Sequence, residues 1–252
     1  MVRPLLARLG KAFEYLFKDY DFLSSFGTSL DYEHYWQSRI QREKPTGIEA
    51  VFKIQEAYKL NLIASLVEPK SRVLDIGCGD GSLLVHLKET KDIIPFGIEI
   101  SSRACELARR SGIEVKQADI SKGELSLPPD IDYILVTEVL EHLSNPIEVL
   151  MRLKGKFKLG LLIEIPNTGA LSERLRLLLG RFPKQWILHP GEHLHFWTVT
   201  DFLFLCHRLG FRVENYYGLH DAYYDLGPLK LWKYYPKLFT RYVLYKLSCS
   251  EK

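Results

Sequence analysis

The sequence is sparing in the features that mark several large classes of protein. Its four cysteines, Cys78, Cys105, Cys206 and Cys249, are scattered over 252 residues without Cys-x-x-Cys spacing, so reduced thiols and a cytoplasmic setting are expected. No apolar run reaches the roughly 18 to 20 residues that span a bilayer, which excludes a transmembrane helix. The first residues lack a signal peptide's apolar stretch and small-residue cleavage site. Charge of either sign is not in excess: 34 Lys+Arg against 31 Asp+Glu leave +3. Without a clustered basic face, that balance gives no reason to expect a nucleic-acid partner. Internal repeats and low-complexity segments are absent.

What is present is enough apolar side chain, 46% of residues, to bury one full-sized core. Val2, Leu5, Leu6, Leu9, Phe13, Leu16 and Phe17 recur at helical spacing with Arg3, Arg8, Lys11 and Lys18 mostly opposite. This predicts an amphipathic N-terminal helix that packs on its own domain or lies on an anionic membrane surface. After a linker from Asp19 to Thr28, helices are expected over Asp31 to Arg42 and Ile48 to Val67, broken at Pro45 and Gly47 and ended before Pro69. Residues 1–68 thus read as a helical cap and 69–252 as the main domain.

From Arg72 the pattern becomes short apolar runs alternating with helical stretches, the signature of βαβ units around a parallel sheet. Strands are expected at Arg72 to Ile76, Ile94 to Ile98, Glu114 to Ala118, Tyr133 to Thr137, Leu159 to Ile165, Phe211 to Tyr217 and Arg241 to Leu247. Helices are expected at Ser82 to Glu89, Ser102 to Ser111, Asn145 to Leu153, Ala170 to Leu179 and Thr200 to Leu209, with Thr200 as an N-cap. The fold class is α/β: a Rossmann-like, doubly wound, seven-stranded sheet with an antiparallel last strand, preceded by the helical cap.

The first strand runs into Asp75-Ile76-Gly77-Cys78-Gly79-Asp80-Gly81 and then a helix. Such a turn lets the backbone approach a small polar ligand without side-chain interference. The spacing is GxGxG, and Ser82 stands where a dinucleotide fingerprint needs its third glycine, which weakens nicotinamide and flavin readings. Glu99 ends the second strand, where a carboxylate can accept both ribose hydroxyl protons, and Asp119 follows the third. Ligands of open α/β sheets bind outside the carboxyl ends of the strands, so these groups should share one crevice.

On these motifs the stretch from Arg72 to Thr198 resembles the class I S-adenosylmethionine-dependent methyltransferases. The resemblance implies that Asp75, Gly77, Cys78 and Gly79 lie near the methionine part of S-adenosylmethionine, Glu99 and Ile100 at the ribose, and Asp119 with Ile120 beside the adenine. Thr137 and Glu138 would flank the methyl donor. The segment from Ile165-Pro166-Asn167 to Gly180 resembles both methionine-biosynthesis W-type proteins and methyltransferases of surface-glycan gene clusters. Glu138-Val139-Leu140-Glu141-His142 departs from the W-type pattern and is similar to the EVxEH of glycan, ubiquinone-biosynthesis and small-RNA O-methyltransferases.

That similarity implies oxygen as the methyl acceptor, on a small molecule, a glycan or a lipid-linked compound. In the ubiquinone and small-RNA enzymes, residues matching Glu138, Glu141, His142 and His193 hold a divalent cation. Here a metal-free reading is preferred, in which His142 caps a helix or orients the acceptor and Glu138, His142 and His193 carry the catalysis. His189-Pro190-Gly191-Glu192-His193-Leu194-His195-Phe196-Trp197-Thr198 reads as an acceptor-site wall, with His195 on it. Tyr32, Tyr35 and Trp36 fall where relatives place an N-terminal cap over the cofactor, with Arg39 about one turn further along, and form an aromatic lid or pack the helix against the core. The tail from Leu226 to Tyr245 mixes lysines with Trp232, Tyr234, Tyr235, Phe239 and Tyr242 and suits an interface, including peripheral contact with a membrane. The alternative function is a cofactor-binding regulatory partner without its own turnover; the oligomeric state stays open.

Overall fold

A computed structural model of the protein describes residues 47–123, 126–183, 193–220, 225–226 and 229–249. The predicted amphipathic N-terminal helix, the predicted helix over Asp31 to Arg42 with the lid residues Tyr35 and Trp36, and residues 189–192 of the acceptor wall lie outside these. The described chain forms α1 (Gly47–Leu66), β1 (Arg72–Ile76), α2 (Ser82–Lys91), β2 (Ile94–Glu99), α3 (Ser102–Arg110), β3 (Glu114–Gln117), β4 (Tyr133–Thr137), α4 (Pro146–Leu153), β5 (Gly160–Pro166), α5 (Leu171–Leu178), α6 (Val199–Arg208) and β6 (Phe211–Gly218). Short helices α7 (Leu231–Tyr234) and α8 (Pro236–Phe239) precede β7 (Tyr242–Cys249).

Seven strands form one sheet in the order β3-β2-β1-β4-β5-β7-β6. β1 pairs in parallel with both β2 and β4, and β4 with β5. β7 runs antiparallel between β5 and β6, as the sequence pattern predicts for the last strand. Because successive side chains of a strand face opposite ways, the sheet feeds two cores. Leu74, Ile134 and Leu161 join α4 and α6 residues such as Leu150 and Phe202 on one face. Val73, Leu135 and Leu162 join Ile63, Leu84 and Cys105 on the other. The end of α1 therefore belongs to the main core through Ile63, Ala64 and Val67, although the sequence pattern groups this helix with the cap.

Strand order determines where a ligand can sit. The chain lays β1, β2 and β3 outward on one side and returns to place β4 on the other side of β1. The β1/β4 boundary is thus the topological switch point, where the loops leaving adjacent strands part and open a crevice.

Two local expectations are corrected. The N-cap of α6 is Thr198, whose Oγ1 accepts from Asp201 N–H at 3.2 Å while donating to the Asp201 carboxylate at 2.7 Å. Thr200 lies inside the first turn, because the Thr-x-x-Asp reciprocal cap starts two residues earlier. Of the tail read as an interface, Trp232 and Tyr245 are buried, while Tyr234 and Tyr235 stand exposed with Lys230, Lys233 and Lys237. Trp232 packs edge-on against Tyr58 of α1, with ring centroids 4.9 Å apart.

Candidate active site

The turn after β1 is built almost wholly from backbone. Gly77, Gly79 and Gly81 have φ of 74°, 55° and 79°, a region that L side chains rarely adopt. The N–H groups of Gly77 and Cys78 both donate to Ile98 O, at 2.7 and 3.2 Å, which ties the turn to β2. A Cβ on Gly77 would come within 2.5 Å of Val139 Cγ2. That contact places the loop after β4 directly on the glycine turn. Cys78 is buried, its thiol packed against Gly97, so backbone alone is what this residue can offer a ligand.

Glu99 is buried and held by three backbone donors: Gly79 N–H at 3.0 Å on Oε2, and Ile100 and Ser101 N–H, each at 2.9 Å, on Oε1. Such a carboxylate is fixed in one orientation and keeps lone pairs for further donors. Ile100 beside it is exposed, whereas Ile120 is in the core. Asp75 is buried with Oδ1 lacking a hydrogen-bond partner among the described residues. Burial pushes its carboxyl up to about 8, with the Lys59 charge opposing and Glu99 adding to the rise. Asp119 is engaged locally: its Oδ1 accepts from Ser121 N–H and Oγ, and Lys122 lies 3.0 Å from Oδ2. Burial opposes ionisation there, but the Ser121 and Lys122 hydrogen bonds outweigh it and hold the carboxyl below its usual range. Arg152 of α4 clamps this loop by donating to Ile120 O and Gly123 O, at 3.0 and 2.7 Å.

Across the switch point, Thr137 ends β4 half-buried and Glu138 takes φ of 54°, uncommon for a residue with a side chain. A 3-10 turn over Leu140–His142 follows. Asn145 caps α4 by accepting from Glu148 N–H, so the N-cap of that helix is Asn145 and not His142. Glu141 Oε, a His142 ring nitrogen and a His193 ring nitrogen lie within 4.8 Å of one another. The two imidazole centroids are 4.7 Å apart. Leu194 and His195 N–H groups donate to Glu141 O at 2.7 and 3.2 Å, which docks the histidine segment on the β4 loop. His195 stacks on Trp197, centroids 5.4 Å apart. Glu141 is buried, Oε2 has no hydrogen-bond partner among the described residues, and burial pushes its carboxyl well above the usual range, Glu138 and Glu164 adding to the rise.

Glu138 does not join this trio. Its carboxylate lies 3.2 Å from Lys59 Nζ, which also pairs with Glu164 at 3.6 Å and Glu56 at 3.1 Å. Burial works to discharge Lys59, but the three carboxylates outweigh it and keep the ammonium firmly charged. The four-residue set that resemblance assembled is therefore three residues here, because α1 supplies a cation that competes for the fourth. Lys59, Glu164 and Arg152 have no place among the sequence candidates. Glu164 alone left a trace, as a carboxylate inside the apolar run Leu161-Leu162-Ile163-Glu164-Ile165.

Residues 58–247 match the family model described as methionine biosynthesis protein MetW. This chain belongs to the MetW family. Of the two subfamily resemblances drawn from sequence, the match therefore falls on the W-type side. Among curated relatives, the chain is similar to N-methyltransferase 4 of Papaver somniferum, 31% identical over 97 residues, 35% of this chain and 27% of the relative. It is also similar to a bifunctional methionine biosynthesis protein MetXA/MetW of Rhodopirellula baltica, 27% identical over 150 residues, 55% of this chain and 23% of the relative. The chain thus spans about a quarter of the length of these relatives. Among solved structures, magnesium protoporphyrin IX methyltransferase from Synechocystis with bound S-adenosylhomocysteine superposes with a TM-score of 0.62 at 15% identity, over 87% of this chain and 95% of that one. An S-adenosylmethionine-dependent methyltransferase of Thermotoga maritima gives 0.56 at 19% identity, over 86% and 98%. The MetW chain has the fold of the class I methyltransferases.

Proposed function

We propose that this MetW-family protein is an S-adenosylmethionine-dependent methyltransferase whose acceptor is a hydroxyl group of a small-molecule, glycan or lipid-linked compound. The observation that carries the reading is the contact of Val139 with Gly77: it joins the backbone cradle, suited to the donor, to the loop of Glu141 and His142, suited to the acceptor. The cradle fits S-adenosylmethionine in its chemistry. Glu99 keeps lone pairs for two ribose hydroxyls, exposed Ile100 offers an apolar face to the adenosine, and the unpartnered Asp75 oxygen suits the methionine ammonium. When bound, S-adenosylmethionine supplies a methyl group on an already activated sulfonium, so alignment carries much of the rate.

The remaining work falls to the protein. Glu99 and Asp75 hold the donor, the half-buried Thr137 and the exposed Glu138 flank its methyl end, and His195 lines the acceptor side. His142 or His193 takes the hydroxyl proton as the oxygen–methyl bond forms and the sulfur–methyl bond breaks, then returns it to water. Lys59 positions Glu138 and compensates the buried Glu164.

A second reading rests on the convergence of Glu141, His142 and His193. A buried carboxyl with an unpartnered oxygen beside two imidazoles is a donor set suited to a divalent transition metal. Such an ion would lower the pKa of the acceptor hydroxyl. A third reading is a regulatory partner without turnover, favoured by likeness to a relative named as a MetXA/MetW fusion. Methyl-labelled donor offered with sugar, polyprenyl-type and amine acceptors tests these together. Label in an ether linkage, lost in His193→Ala, is expected. Label on nitrogen contradicts the oxygen assignment, loss of activity with a chelator moves the reading to the metal, and no label in any acceptor favours the regulatory partner.

A further inference from the structure

The exposed large apolar side chains of the described residues come singly or in pairs along the chain, with one exception. Leu175, Leu177, Leu178, Leu179 and Phe182 are all exposed, Leu178 at 81% and Phe182 at 58%. They occupy the end of α5 and the turn that leaves it. Contiguous apolar exposure of this extent marks an interaction surface.

Its shape and charge identify what it meets. At about 100° per residue, Leu177, Leu178, Leu179 and Leu175 point in directions spread around most of the helix girth, and the gap is filled by Arg176, which is buried and donates to Phe182 O at 2.9 Å. A helix that lies in a protein groove presents a stripe at three- and four-residue spacing. This one is apolar around its tip, as suits an end that enters a fluid apolar phase. Gly180, with φ of 74° and nothing within 4 Å of where a Cβ would be, leaves the tip open. Every ionisable residue from Arg174 to Arg181 is an arginine, and the preceding Glu173 is wholly buried. Arg174 is exposed and braced by its bond to Gly169 O at 2.7 Å.

We propose that the end of α5 docks the protein on an anionic lipid bilayer, with the leucines in the interfacial layer and Arg174 against lipid phosphates. α5 leaves the same end of β5 that faces the candidate active site, so docking turns the acceptor side of the site to the lipid surface. The inference uses neither the N-terminal segment nor the C-terminal tail, and it holds whichever group is methylated.

Flotation of the full chain tests it, with vesicles of equal parts phosphatidylglycerol and phosphatidylcholine and with phosphatidylcholine alone. The protein is expected to float with the first and not with the second. A Leu177→Ser/Leu178→Ser variant is expected to lose about tenfold or more of its partitioning. Arg174→Ser is expected to lose about fivefold. Unchanged circular dichroism would show both variants folded. Absence of the wild type from the floated fraction overturns the proposal, as does equal flotation with phosphatidylcholine alone or wild-type flotation by both variants. A wild-type dimer in sedimentation that the leucine variant converts to monomer assigns the face to a second copy and overturns it too.

Discussion

The two halves of the crevice are made of different material. On the β1–β3 side, the groups at the crevice are backbone N–H donors, glycines at positive φ, the buried Asp75 and the Glu99 carboxylate fixed by three amides. On the β4–β5 side they are ionisable side chains gathered from distant parts of the chain: Lys59, Glu138, Glu141, His142, Glu164 and His193. A backbone cradle is generic and suits a donor whose structure is shared by many enzymes. A side-chain constellation is adjustable and suits an acceptor that differs between them.

Breaking the second half should cost the fold most. At pH 9, above the value of about 8 to which burial pushes the Glu164 carboxyl, Lys59→Met leaves it charged, buried at 1% exposure and without its cation, and removing one partner of a buried pair costs about 3–5 kcal/mol. Denaturant unfolding should show a loss of that order, while Glu138→Gln, at 47% side-chain exposure, should change stability by less than about 1 kcal/mol. Equal effects would mean that burial does not distinguish the two pairs. Glu99→Ala comes next. It leaves three amides without their acceptor, at about 1–3 kcal/mol for an unsatisfied buried group, and should weaken S-adenosylhomocysteine binding at least about tenfold.

This difference in material also explains what the sequence made legible. All seven strands and the glycine turn stand where apolar periodicity and Gly spacing place them, with shifts of a residue or two at strand ends. Glu99 and Asp119 could be located because the first ends β2 and the second follows β3 by two residues. Lys59 and Glu164 could not, since 105 positions separate them in the chain and only the stacking of α1 over the sheet brings them together. The resemblance that grouped Glu138 with Glu141, His142 and His193 had no knowledge of a lysine on α1. Thr198 was overlooked as a cap because Thr200 offered the same side chain two residues on.

The donor half also makes a prediction about pH. The Asp75 carboxyl stands at about 8 against an ordinary 3.8, so between those values the folded protein binds a proton that the unfolded chain does not. Stability of the ligand-free protein should therefore fall as pH rises through that window. An ammonium beside Asp75 relieves the penalty, so stabilisation by S-adenosylhomocysteine should be larger near pH 8 than near pH 5. Thermal unfolding with and without the ligand at both values checks this; a shift independent of pH would remove Asp75 from the donor site. The smallest effect expected is the sharpest separation of the halves: His193→Ala should leave S-adenosylhomocysteine affinity within about twofold of wild type, measured by calorimetry.

The central claim, that the glycine turn and Glu99 form the donor site, is tested most directly by a crystal structure of the full chain with S-adenosylhomocysteine. The account predicts the ribose hydroxyls on the Glu99 carboxylate, the amino group at Asp75 and the sulfur facing the Glu138–His142 loop. Ligand bound elsewhere, or in the crevice with Glu99 still making only its three backbone contacts, would contradict it.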